Sequence, residues 1–309
     1  MANESKQARI ALAVGAHPDD VEISCAGTLK ALQDAGYAIH IATMSLGDCG
    51  SKEMSPDKLR SQRQAEAEAA CRILGAKHHY VGSHDFSIFN DDSHNRRVTA
   101  LLREVGPRIV FTHSPADYML DHDNTSALVR NACFQAPAPN YDCSQFGTAG
   151  ALIAVPHLYY WDVMEGVNIF GKSVAPALYV DITGEMKFKS EMLAEHRSQR
   201  EWLRAQHGID EYLDTMRHWG ARRGQEAADI TSRSAGKSSD DAGEGAAGSE
   251  PRRRRVGVRR TGIAGRPPSL APLRILYAEV FRQHLGHAYP RDNLLAAILP
   301  ARVIINPNY

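Results

Sequence analysis

The chain has 309 residues, 43% of them hydrophobic, which suits one large or two small domains with a sizeable core. Its 36 basic and 36 acidic residues cancel, so no global field favours nucleic acid or an anionic membrane as a partner. Five scattered cysteines without C-x-x-C spacing argue against a disulfide framework or a structural zinc site and for reduced thiols in a cytoplasm.

The first nine residues lack the apolar core of a signal peptide. No stretch approaches the roughly eighteen apolar residues of a membrane span. Ile10 to Gly15 is a continuous apolar run of the kind found in strands covered on both faces. It runs directly into Ala16-His17-Pro18-Asp19-Asp20-Val21-Glu22. An imidazole and carboxylates so close together suit zinc or a similar divalent ion. Adjacent Asp19 and Asp20 point in different directions, so one can bind metal while the other faces substrate. A plainer reading makes either aspartate a helix cap.

A helix is expected from Ile23 to Ala35, closed by Gly36, and a strand from Tyr37 to Met44. Ser55-Pro56-Asp57 opens a helix that ends at Leu74-Gly75. A short strand at His79 to Val81 and a helix from Asn95 to Val105 precede a strand at Arg108 to Thr112. His113-Ser-Pro-Ala-Asp-Tyr-Met-Leu-Asp-His122 follows, then a helix from Asn124 to Phe134. Strand–helix alternation predicts an α/β, Rossmann-like, mostly parallel sheet with helices on both faces. Ligands in such sheets bind beyond the carboxyl ends of the strands. If the first and fourth strands are neighbours, His17, Asp20 and His122 converge there. Three ligands with an open position make a catalytic rather than a structural metal site. No G-x-G-x-x-G follows the first strand, so a nicotinamide cofactor is not indicated.

Further strands are expected at Ala154 to Trp161 and Ala177 to Ile182, and one long helix from Met186 to Arg204. The text changes near Gln225. Residues 231 to 250 are mostly Ser, Gly, Ala and Asp, and Arg252 to Arg255, Arg259, Arg260 and Arg266 follow without an acid among them. Residues 225–272 therefore read as a disordered or inserted segment between a domain over 1–224 and a tail over 273–309. The basic run lacks interleaved aromatics, so no nucleic acid is expected. Leu273 to Leu285 reads as a helix.

The A-H-P-D-D-x-E motif, with a later D-H opening a helix after a strand, resembles the PIG-L or LmbE-like (GlcNAc-phosphatidylinositol de-N-acetylase) family. Arg63-Gln-Ala-Glu66 through Leu74-Gly75, Asp85, and His196-Arg-Ser-Gln199 resemble its remaining signatures. The resemblance implies a zinc- or Fe²⁺-dependent hydrolase that removes an N-acetyl group from an amino sugar or its conjugate. It implies His17, Asp20 and His122 as ligands, Asp19 as general base, and Arg63 and Asp85 as substrate-binding residues. Two departures stand out. Only Gly27 remains of the glycines that usually follow the first motif. Met119 occupies the place of an assisting histidine in the usual H-P-D-H, and a thioether can neither donate a proton nor carry positive charge. Either His113, with Tyr118 second, replaces it, or the metal and its water do without such a residue. An amidase for a non-sugar N-acyl compound and a lapsed sugar-binding protein are the alternatives. A homo-oligomer is compatible with all three.

Overall fold

The computed structural model describes residues 8–207, 211–240 and 274–309. In chain order come β1 (Ile10–Gly15), α1 (Asp20–Ser24), α2 (Ala26–Asp34), β2 (Ala38–Thr43), α3 (Pro56–Leu74), β3 (Lys77–Tyr80), α4 (Asp92–Val105), β4 (Ile109–Thr112) and α5 (Leu120–Gln135). The chain continues through β5 (His157–Trp161), β6 (Leu178–Asp181), α6 (Met186–Ala194), α7 (Arg197–His207), α8 (Glu211–Asp240), β7 (Ala278–Gln283), α9 (Leu294–Ile298) and β8 (Val303–Ile305).

The eight strands form one sheet in the order β3-β2-β1-β4-β5-β7-β6-β8. The first five of that order pair in parallel; β7 runs antiparallel to both its neighbours, and β8 is antiparallel to β6. Successive side chains of β1 serve opposite faces, as the strand period of two requires. Ala11 and Ala13 join Leu29, Leu32, Leu74 and Leu193 in one core cluster. Leu12 and Val14 join Val98, Leu102 and Leu128 in another. That double burial is why β1 reads as an unbroken apolar run. The expected α/β fold with helices on both faces is the one observed.

From β1 the sheet grows one way through β2 and β3 and the other way through β4 and β5. The β1/β4 pair is therefore the switch point where strand order reverses, and a crevice opens beyond its carboxyl ends. The residues after β1 and after β4 both enter it.

Four local expectations give way to tertiary structure. The first helix breaks at Cys25, whose φ of −147° separates α1 from α2. Gly27, on α2, lies so near Ile182 that a Cβ there would stand 2.8 Å from it. The helix expected over Met186 to Arg204 is two, because Glu66 on α3 supplies a fresh amino-terminal cap: its carboxylate accepts from Ser198 N at 3.0 Å and from Ser198 Oγ at 2.6 Å. Leu273 to Leu285 contributes the strand β7 rather than a helix. A short apolar run cannot be assigned by period alone, and this one fills a gap between β5 and β6 where backbone partners await it.

The fourth concerns Gln225. Helix α8 continues through it to Asp240, and Ala227 is fully buried with Tyr179, Ala278 and Val280, with Ile230 packed alongside. The boundary expected at residue 225 thus falls inside a helix docked on the sheet. The remainder of the expected segment, from 241 to 272, lies outside the described residues.

Candidate metal centre

Asp19 closes the turn after β1 with a φ of 104°, a left-handed conformation that a non-glycine residue adopts only where its surroundings impose it. The turn starts α1 at Asp20 and folds the Asp20 carboxylate back onto the strand end, where Oδ2 accepts from His17 N at 2.7 Å. From the neighbouring strand, α5 begins just before His122 and brings its Nε2 to 3.5 Å from Asp20 Oδ1. His17 Nδ1 lies 3.6 Å from Asp20 Oδ2. One donor atom from each of His17, Asp20 and His122 falls within 4.8 Å of the other two. The three residues the sequence singled out are thus brought together at the switch point.

Each imidazole is oriented from behind by a carboxylate. Asp121 Oδ2 accepts from His17 Nε2 at 3.2 Å, and Asp117 Oδ1 lies 3.2 Å from His122 Nδ1. With its outer nitrogen paired in this way, each ring would present its inward nitrogen to a metal ion on losing the inward proton, the arrangement that fixes the tautomer of metal-binding histidines. Burial opposes charge on His17, yet Asp121 and Asp20 outweigh it and raise its pKa to about 10. Burial likewise opposes ionisation of Asp20, but His122 holds its carboxyl well below the usual range. The pocket is built to hold positive charge. Two imidazole nitrogens and one carboxylate are donors for a divalent ion such as zinc or iron, so the residues present fit the metal that the sequence resemblance implies.

Asp19 is buried beside this set. Arg63 Nη2 donates to its Oδ2 at 3.2 Å, and the Tyr212 hydroxyl donates to the same oxygen. Burial raises the Asp19 pKa, against the pull of Arg63.

The geometry gives Arg63 a role other than the one expected. Its buried guanidinium also donates to Pro18 O at 2.8 Å and Gly47 O at 3.3 Å, so it braces the turn rather than reaching for substrate. Gly47 makes that possible: it has a φ of +71°, and a Cβ there would lie 2.0 Å from Arg63 Nη1. Asp85 accepts from Ser45 Oγ at 2.6 Å and Cys49 N at 3.0 Å; it lines the cleft 3.9 Å from His17 Nε2.

His113 is also placed differently from expectation. It ends β4 fully enclosed, stacked on His122 at 3.9 Å between ring centroids and edge-on to Trp161 at 4.7 Å. Its Nε2 lies 3.0 Å from Ala16 N, which donates to it, and 3.1 Å from Asp20 Oδ2. Burial, reinforced by His122, lowers its pKa to about 4. A neutral ring packed on three sides neither swings toward a substrate nor supplies a cation. It packs against Asp20 and His122, two of the three candidate metal-binding residues.

A cleft of about 700 Å³ opens over the centre, lined by Asp19, His122 and Arg63 at its floor and by Phe86, Tyr118 and Trp219 higher up. Met119, the N-cap of α5, lines it as well. The outer residues Asp117 and Asp121 and the Asp19 partner Tyr212 escaped the sequence reading. Asp121 had a local signal, since it immediately precedes His122. Tyr212 had none, being 193 residues from Asp19.

A crevice beyond the carboxyl ends of β1 and β4, with a His-Asp-His set that could hold a metal ion and an aspartate beside it, is the arrangement found where a bound metal activates water. Residues 12–133 match the model of the GlcNAc-PI de-N-acetylase (PIG-L) family. A 4-oxalmesaconate hydratase of Pseudomonas putida is 31% identical over 147 residues, covering 45% of this chain and 57% of the relative. The diacetylchitobiose deacetylase of Thermococcus kodakarensis is 26% identical over 196 residues, 61% of this chain and 69% of the relative. The chain thus spans a little over half the length of the first of these curated relatives and about two thirds of the second. The solved N,N′-diacetylchitobiose deacetylase of Pyrococcus horikoshii shares the fold, with a TM-score of 0.64 at 21% identity over 94% of this chain and 90% of that one. No described helix is long and apolar enough to cross a membrane.

Proposed function

We propose that the protein is a metal-dependent N-deacetylase that acts on an amino-sugar conjugate. The observation that carries this reading is the His17–Asp20–His122 donor set with Asp19 beside it on the floor of the cleft. A zinc-class ion there would supply Lewis acidity toward an amide oxygen. Asp19 would take the proton of the attacking water and return it to the nitrogen as the C–N bond breaks, general acid–base work for which a raised carboxylate pKa is suited. Asp117 and Asp121 would hold the two histidines in their donor tautomers. Trp202, Trp219 and Tyr118 along the cleft wall offer flat apolar faces to a sugar ring, and Asp85 offers an acceptor for a hydroxyl. The assay is release of amine from N-acetylglucosamine conjugates, with and without a chelator. Chelator-sensitive release is expected, and its absence across a panel of such conjugates would remove the reading.

A second reading is favoured by one sequence feature and one relative. Met119 supplies no cationic group beside the site, where the family pattern has a histidine, and the relative with 31% identity is a hydratase. On this reading Asp19 directs water onto a carbon–carbon double bond conjugated to a carboxylate. The two readings separate by product: free amine in one case, loss of the conjugated ultraviolet absorbance of an unsaturated oxo-acid in the other.

A further inference from the structure

The two donors that hold Asp19 arrive from different parts of the chain and meet on one atom. Arg63 comes from α3 and Tyr212 from the first turn of α8, and both donate to Oδ2. Among the described residues, Oδ1 of Asp19 carries no hydrogen bond. Asp19 also sits in a left-handed backbone conformation at φ 104°, and its side chain makes no capping hydrogen bond to α1. The Arg63 guanidinium is itself pinned by Pro18 O and Gly47 O, and Tyr212 is only 7% exposed.

From this convergence we propose that Tyr212 is a positioning residue. With Arg63 it forms a two-donor clamp on Asp19 Oδ2 that turns Oδ1 toward the cleft. The proposal deepens the general-base role of Asp19 and rests on that reading. It also gives α8 a function, since docking this helix on the sheet is what delivers the hydroxyl. Rotating the carboxylate by half a turn would exchange its oxygens at no cost in an unclamped site. With both donors on one side the carboxylate has one orientation, and a group held in its working geometry needs no reorganisation when it accepts a proton.

Tyr212→Phe is the test, because it keeps the ring and its packing and removes only the hydroxyl. Two measurements are read in the metal-loaded, full-length protein. The first is turnover of diacetylchitobiose: kcat is expected to fall about 10-fold, with KM and metal content unchanged. The second is the crystal structure of the variant beside that of the parent. The Asp19 carboxylate is expected to leave its place, with Oδ2 no longer confined to Arg63. Arg63→Lys, which removes the forked donor and keeps the charge, should give the same two results if Tyr212→Phe folds poorly. An Asp19 carboxylate that keeps its place without the hydroxyl overturns the proposal, whatever the turnover. A parent protein inert toward the sugar overturns the deacetylase reading instead, and the crystallographic comparison still decides the clamp.

Discussion

Asp121 holds His17 through its outer nitrogen: the carboxylate Oδ2 lies 3.2 Å from Nε2 and also accepts the backbone N–H of Phe86 at 2.8 Å. Phe86 has a φ of 59°, so a strained loop residue on the β3 side of the crevice is tied to a candidate ligand on the β1 side. Asp121→Asn keeps the shape but weakens the acceptor and removes the charge that makes His17 a strong donor. Metal affinity is expected to fall about 10- to 100-fold, the usual cost of losing such an outer partner. Competition titration against a chromogenic chelator measures it.

Asp20 and Asp19 should separate cleanly. Asp20→Ala is expected to abolish stoichiometric metal, because the bridging carboxylate between His17 and His122 is gone; elemental analysis reads this. Asp19→Asn is expected to retain metal and lower turnover by about 10²- to 10⁴-fold, the range of general acid–base contributions. Full metal in the first variant, or normal turnover in the second, would reassign the pair.

His113→Ala tests whether this ring supports the ligands or takes part in the reaction. The stack on His122 and the contact with Asp20 predict weaker metal binding and a lower melting temperature. Turnover should recover when metal is supplied in excess. A variant with normal metal affinity and a turnover lowered 100-fold would instead give His113 a direct role.

Glu279 on β7 caps α2: its two carboxylate oxygens accept from Gly27 N at 3.0 Å and Thr28 N at 2.7 Å, and Lys189 Nζ closes the group. All of this is buried. Glu279→Ala strands the Lys189 ammonium in the core and is expected to cost about 3–5 kcal/mol, the range for breaking one side of a buried pair. Urea denaturation gives the value, and the double variant Glu279→Ala/Lys189→Met should recover part of it.

Asp48, in the segment between β2 and α3, supplies an acid-sensitive link to Arg60, His84 and Asp85. Burial opposes its ionisation, but His84 and Arg60, with the Asp85 N–H, lower its pKa to about 2. A carboxylate with a folded pKa below the ordinary 3.8 stabilises the fold above that value and loses the contribution as pH falls toward 2. Asp48→Asn should therefore flatten the stability curve below about pH 4 and leave its shape at neutral pH unchanged. Chemical denaturation at a series of pH values reads both parts.

The α/β class, the first five strands and the positions of His17, Asp20 and His122 at strand and helix ends were legible in the sequence, because each is a local property. β1 is buried on both faces and reads as a run; the metal residues cluster at strand ends where chain reversal puts polar side chains. What only the tertiary structure decided was where long-range partners attach. The apolar pattern before Leu285 became a strand because β5 and β6 had unpaired edges to fill. Arg63 became a brace because Gly47 leaves room for its guanidinium. His113 became a packed, neutral ring because Trp161 and His122 enclose it. The Tyr212–Asp19 contact spans 193 residues, and no spacing rule reaches that far. Composition and period report which face a residue buries; which atom it then meets is set by the packing of elements that are distant in the chain.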